Sequence, residues 1–132
     1  MTIKPKPLSP HLGIYKPQIS SVLSIMHRIS GVALFMGLIF LLWWLVGLAY
    51  GQDPSESIVW PFLTSHYGRI IMMLWSYSLF FHACTGVRHL LWDAGIGFSL
   101  RAVNFSGWLA VAVSIFLTII AWYSALQLKW GA

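Results

Sequence analysis

The sequence predicts an all-α membrane protein, with three transmembrane helices in a single domain covering residues 1–132 and the N-terminus on the inner side. Three observations predict it. The chain is 58% hydrophobic and only 8% charged, against about 25% charged in ordinary soluble chains, so it lacks the charge to cover a water-soluble globule. Its uncharged apolar runs are long enough to cross a hydrocarbon core of about 30 Å. With three spans drawn, Lys4, Lys6, Lys16, Arg28, Arg88 and Arg101 fall on one side and Arg69 and Lys129 on the other, which puts the N-terminus inside. The formal charge of +5 therefore reads as membrane topology rather than as a nucleic-acid surface. Cys84 is the single cysteine, so an internal disulfide is excluded. There is no Cys-x-x-Cys-His for covalent haem attachment.

Residues 1–19 predict an extended inner-side segment. Pro5, Pro7, Pro10 and Pro17 with three lysines forbid regular helix. Leu8, Leu12, Ile14 and Tyr15 are apolar enough to dock on a neighbour. The segment is neither a signal peptide nor an arginine-rich transit sequence. With no targeting extension before Met1, the expected location is a bacterial inner membrane, or a mitochondrial inner membrane for an organelle-encoded chain.

The first span is expected over about 22–50. Ser20 and Ser21 are candidate caps, and Ile29 to Tyr50 carries no charge. A loop follows, with Asp53, Pro54, Glu56, Pro61 and a membrane-hugging Trp60. The second span covers about 66–92, with Arg69 and Arg88 near opposite interfaces. Asp93 to Asn104 forms the next loop, and the third span covers about 105–128. Trp108, Trp122, Tyr123 and Trp130 are placed near its ends, where amphipathic aromatics favour the interface. Gly31 and Gly37 are not at GxxxG spacing, and no internal repeat is evident.

Chemistry concentrates at the inner ends of the first two spans. On a helix His82, Gly86, His89 and Asp93 lie at about 0°, 40°, −20° and 20°, a single narrow face. Ionisable groups inside a membrane helix mark functional sites by default, and Gly86 leaves room for a flat ligand near the backbone. His82 sits about 13 Å inside the span, a depth suited to haem iron; a hydrogen-bonded helix contact is the plain alternative. His82 and His89 are about 10.5 Å apart and point the same way, so they cannot both ligate one iron. His27 and His66 lie near the interfaces, so a six-coordinate haem needs a second ligand from another subunit. Haem propionates would find Arg28, His27 or Arg88.

Ser24 and Arg28, one turn apart on one face, offer a hydroxyl and a guanidinium to the carbonyl oxygens of a quinone. An interfacial, snorkelling Arg28 is the plain alternative. Quinone reduction takes two electrons and two protons, and His27, His89 and Asp93 are candidates for relaying the protons.

Three blocks then occur in order: Pro7-Leu-Ser-Pro-His-Leu-Gly-Ile-Tyr15, Ser24-Ile-Met-His-Arg-Ile-Ser-Gly31 and His82-x-x-x-Gly-x-Arg-His-Leu-x-x-Asp93. In combination they resemble the cytochrome b subunits of succinate dehydrogenase, respiratory complex II, of the mitochondrial and alphaproteobacterial type. The resemblance covers essentially the whole chain and implies a three-helix anchor paired with a second three-helix anchor. It implies that His82 is an axial ligand of haem b, with the other histidine supplied by the second anchor. Ser24 and Arg28 would line a ubiquinone site completed by that anchor and the iron–sulfur subunit, with His27 and Arg28 near the haem propionates. Arg88, His89 and Asp93 would surround these groups or relay protons. The proline-rich start would pack on the iron–sulfur subunit. FAD and the iron–sulfur clusters would reside only in partner subunits, since this chain has no cysteine set for clusters and no flavin site. Three other readings compete: a fumarate reductase anchor, a structural tether without haem, and a transporter subunit, the last disfavoured by the absence of a repeat or charged path.

Overall fold

The computed structural model describes residues 16–57 and 59–130. The described residues form a long helix α1 (Ile19–Ala49), a 3-10 turn (Pro54–Glu56), a short helix α2 (Trp60–Thr64) and two further long helices, α3 (His66–Asp93) and α4 (Leu100–Trp130). The long helices provide three segments long and apolar enough to cross a membrane: Ile19–Ala49, His66–Asp93 and Leu100–Gln127. The docking expected of Leu8, Leu12, Ile14 and Tyr15 falls outside the described residues, as does the Trp130 side chain.

Helix starts differ from the sequence expectation at α1 and at α4. Gln18 is the N-cap of α1, without a side-chain cap bond. Ser20 and Ser21 lie inside its first turn, because Pro17 already fixes where helix can begin. Ser65 caps α3, its hydroxyl oxygen accepting from the Gly68 amide at 3.1 Å. Helix α4 starts at Leu100 rather than near Phe105; Ser99 Oγ accepts from the Ala102 amide at 3.3 Å and exposed Arg101 and Asn104 ride on its outside. Trp108 therefore sits about 12 Å into α4, deeper than expected. Between α3 and α4 the chain turns in a few residues, with Gly95 at φ 80° and Gly97 at φ 86°, a left-handed conformation that glycine adopts without Cβ strain. In the other loop the Ser55 hydroxyl and then its amide donate to Asp53 Oδ1 at 2.6 and 2.8 Å. They hold that exposed carboxyl below the usual carboxylate range.

Helix α3 is the middle of the bundle and packs on both α1 and α4, which touch each other mainly at one end. There Gly107 of α4 admits Leu23 of α1: a Cβ built at Gly107 would lie 3.0 Å from Leu23 Cδ1. Beside Leu23, Val59 and Phe81, the interior is rich in small and polar groups. Ser30, Thr85, Arg88, Ser114 and Thr118 are buried, while Ile25, Ile29, Val32, Phe35, Met36 and Ile39 of α1 are exposed. Lipid is as apolar as leucine, so association relies on close packing rather than on burying apolar surface from water. The buried seam of α4, Gly107, Ala110, Ser114 and Thr118, is of this kind. Its hydroxyls bond within the helix, Ser114 to the Val111 carbonyl and Thr118 to the Ser114 carbonyl, each at 2.8 Å.

Gly31 and Gly37 do not form a helix-pairing motif; each receives one ring from α3. At Gly37 a Cβ would run into the Trp75 indole, lying 2.7 Å from Cζ2 and closer still to Nε1. Overpacking of this sort costs about 1–3 kcal/mol. Gly37→Leu is expected to lower the thermal midpoint of the detergent-purified protein, and Gly37→Ala to do so less. An unchanged midpoint for Gly37→Leu would mean the indole has room to move away.

Candidate functional site

The site is built at the end of the bundle where α1 begins and α3 ends. His27 of α1 reaches across and lies along the face predicted for α3. Its ring stacks on His82 with centroids 3.9 Å apart and planes 11° apart. It meets His89 edge-on at 4.9 Å, and its Cε1 is 3.9 Å from where a Cβ would stand on Gly86. His82, Gly86 and His89 thus share the α1-facing side, as their angles on the helix predict. Asp93, the last residue of α3, is exposed and has no bonded partner among the described residues.

His82 is held from three sides. Its Nδ1 is 3.1 Å from the His27 carbonyl oxygen and 3.1 Å from Ser30 Oγ. Its Cε1 faces Gly31, where a Cβ would stand 3.0 Å away. A carbonyl oxygen only accepts, so Nδ1 carries the ring proton and Nε2 keeps its lone pair. A metal-ligating histidine is characteristically fixed in this way, one ring N–H given to a carbonyl and the other nitrogen left for the metal. Among the described residues no three His, Cys, Asp or Glu side chains could hold an ion together. A group that brings most of its own ligands, as a porphyrin does, fits a lone imidazole of this kind.

His27 and Arg28 are neighbours in sequence and diverge in space. His27 lies in the α1–α3 seam. Arg28 is exposed and lines a shallow apolar cleft with Ile29, Val32 and Ala33. Ser24, half-buried, is one turn before it on the same flank. Neither makes a hydrogen bond to a described residue, so a hydroxyl and a guanidinium remain available side by side.

Arg88 departs from the expectation of an interfacial arginine within reach of a propionate. It is 5% exposed and its guanidinium is turned into α4. Nε donates to Ser106 Oγ at 3.0 Å, Nη2 donates to the Val103 carbonyl at 2.9 Å, and the Trp92 ring lies 4.0 Å from Cζ. Charge-assisted bonds and a cation–π contact in a dry setting make it a clamp between α3 and α4. Trp92 also meets His89 at 5.4 Å, so the clamp backs the imidazole cluster without joining it.

Two residues of this cluster are not singled out by the sequence reading, Ser30 and Thr85. Ser30 Oγ donates to the His27 carbonyl at 2.8 Å and also touches His82. Thr85, fully buried, is 2.7 Å from His27 Nδ1. A signal was available: His27-Arg-Ile-Ser30-Gly31 and His82-Ala-Cys-Thr85-Gly86 are the same five-residue pattern, with histidine, hydroxyl and glycine at matching positions on two helices.

Comparison with known proteins adds to this geometry. The family model described as succinate dehydrogenase/fumarate reductase transmembrane subunit matches residues 2–121. The chain is 47% identical over 117 residues to the succinate dehydrogenase cytochrome b556 subunit of Rickettsia prowazekii (strain Madrid E), covering 89% of this chain and 90% of that one. It is 34% identical over 115 residues to the cytochrome b556 subunit from Paracoccus denitrificans, covering 87% and 88%. It is 34% identical over 121 residues to the cytochrome b560 subunit from Reclinomonas americana, covering 89% and 84%.

Proposed function

Because the chain belongs to the succinate dehydrogenase/fumarate reductase transmembrane-subunit family, we propose that it is the cytochrome b membrane anchor of a succinate:ubiquinone oxidoreductase. In this reading it joins a second three-helix anchor, an iron–sulfur subunit and a flavoprotein in the membrane, with its N-terminus inside. Succinate is oxidised at the flavoprotein, and quinone is reduced where this chain meets its partners, within the tricarboxylic acid cycle and respiratory chain.

The observation that carries the proposal is the pinning of His82: Nδ1 bonded to the His27 carbonyl, Nε2 left with its lone pair, and the ring seated against Gly31. His82 would hold haem b through Nε2, together with a histidine of the second anchor. Haem b, when bound, supplies a one-electron redox centre next to the quinone pocket. Arg28 and Ser24 donate to the quinone carbonyl oxygens from the α1 flank. His27, whose ring touches His82 and His89, lies between the haem pocket and the imidazole nearest the inner end. With Nδ1 engaged by Thr85, it would pair with a propionate only as the imidazolium, and as the neutral ring it would take up and pass on a proton at Nε2. His89 and Asp93 extend that polar path toward the inner compartment. The names of the relatives favour the succinate-oxidising direction over fumarate reduction.

The test is a difference spectrum. The intact complex is purified from its native membrane, and an oxidised sample is compared with one given succinate. The expected result is a low-spin b-type haem signal together with succinate-driven ubiquinone reduction. A complex that reduces quinone but shows no haem even after dithionite would remove the His82 assignment. A complex with all subunits bound and no succinate activity would overturn the function.

A further inference from the structure

We infer that Ser30 and Thr85 are reciprocal positioning residues. Each hydroxyl, carried on one helix, accepts the Nδ1–H of the histidine carried on the other, and so leaves the Nε2 atoms of both His27 and His82 unprotonated. The meaning of this for haem rests on the proposed function above; the hydrogen-bond assignment does not.

The argument is a count of hydrogens. Thr85 Oγ1 is 2.7 Å from the Phe81 carbonyl oxygen, and two oxygens approach that closely only with a hydrogen between them. The threonine has one hydrogen, and it is committed there. Its contact with His27 Nδ1 at 2.7 Å must then use the imidazole's proton. Thr85 is 1% exposed, so water does not offer an alternative donor. The same reasoning holds on the other helix. Ser30 gives its hydrogen to the His27 carbonyl at 2.8 Å, and it therefore accepts from His82 Nδ1 at 3.1 Å. That carbonyl is 3.1 Å from the same Nδ1, so the His82 N–H is shared between two acceptors. With neutral rings, any other placement of the protons leaves two lone pairs facing each other in a half-dry seam, an arrangement that carries a desolvation cost without a bond.

The arrangement is reciprocal because the sequence is. On each helix the histidine precedes the hydroxyl residue by three positions and the glycine by four, so all three line one side. Helices facing each other then place each histidine over the other helix's glycine and hydroxyl. His27 meets Gly86 and Thr85, and His82 meets Gly31 and Ser30. One imidazole becomes a metal ligand and the other a proton-handling neighbour, yet the same device orients both.

The experiment uses the whole complex, labelled with 15N-histidine, reduced and reconstituted in bilayers. The two rings are assigned by the signals lost in His27→Gln and His82→Gln. Nuclear magnetic resonance then reads which nitrogen of each ring is protonated. The expected wild-type result is Nδ1–H for both. In Thr85→Val, His27 loses its single Nδ1 acceptor, and its preference for the Nδ1–H tautomer is expected to fall by about tenfold, the worth of one hydrogen bond. Haem content stays unchanged, and Thr85→Ser restores the preference. In Ser30→Ala, His82 keeps the carbonyl but loses one of two restraints, and haem affinity is expected to fall by about tenfold, the lower end for an outer-shell partner. Ser30→Thr restores it. Nε2–H on either ring of the wild type, or an unmoved His27 signal in Thr85→Val, would overturn the inference. Should a variant not assemble, the wild-type spectrum decides alone. A wild-type complex with Nδ1–H rings but no haem would remove the His82 haem assignment and leave this inference standing.

Discussion

Substitution of His82 by leucine is expected to empty the complex of haem b while the three helices remain assembled. Outer-shell partners of a metal-bound histidine are worth about 10- to 100-fold in affinity, so loss of the ligand itself should cost more than about 100-fold. The b-type signal should be absent after gentle purification and after dithionite. Assembly should survive because the ring's contributions to packing are local: a stack on His27 and a seat against Gly31. The α3–α4 contact is anchored elsewhere, by Arg88 on Ser106 and Val103. Co-purification of the partner subunits, and succinate oxidation by an artificial dye, check that the complex is intact. A full haem signal in His82→Leu would return His82 to the role of a helix contact.

The second large effect is expected at Arg28. Hydrogen bonds to charged groups contribute about 1.5–3 kcal/mol, so Arg28→Leu should lower kcat/KM for ubiquinone by about 10- to 100-fold. Ser24→Ala removes a neutral bond worth about 1 kcal/mol and should lower it by about fivefold. Thermal stability should scarcely change in either variant, because Arg28 is exposed and neither side chain bonds to a described residue. Steady-state kinetics with a soluble quinone, beside a melting curve, separates the two readouts. A stability loss without a kinetic defect would make Arg28 an interfacial anchor, the plain alternative for a cationic residue at a span's end.

Arg28 and Arg88 also show how far the sequence could be read. Both stand near one end of an apolar run, and charge pattern alone treats them alike. One is exposed beside a cleft and the other is sealed against α4. What separates them is the pairing of Arg88 with Ser106 and Val103, contacts across 18 and 15 positions that local pattern does not encode. The spans themselves were legible because a hydrocarbon core demands long uncharged runs whatever packs beside them. Which side of α1 meets α3 was not, since lipid and protein are equally apolar and the usual amphipathic stripe is missing. Small residues carried that information instead, in the seam from Gly107 to Thr118. The start of α4 was misjudged because Arg101 and Asn104 looked like loop, although polar groups at the headgroup level can remain helical.

His82, Gly86 and His89 were brought to one side by helix periodicity, and that expectation held as geometry. The partner on that side was His27, which the sequence could place only as a neighbour of Ser24 and Arg28. Its true position follows from the five-residue pattern shared by α1 and α3, which is too short and too separated to stand out as a repeat.

The hydroxyls of Ser76, Ser78, Ser114 and Thr118 all give their hydrogens to carbonyls of their own helix. The α3 and α4 spans therefore enter the bilayer with these donors already spent, and drawing the helices apart strands none of them. Among the described residues, the side-chain bonds that cross between the long helices lie at the end where α1 begins, at Arg88 and at the two reciprocal histidines. Insertion and assembly are thus chemically separable, and the histidines proposed to serve electron and proton transfer are also, with Arg88, those by which the spans find their register.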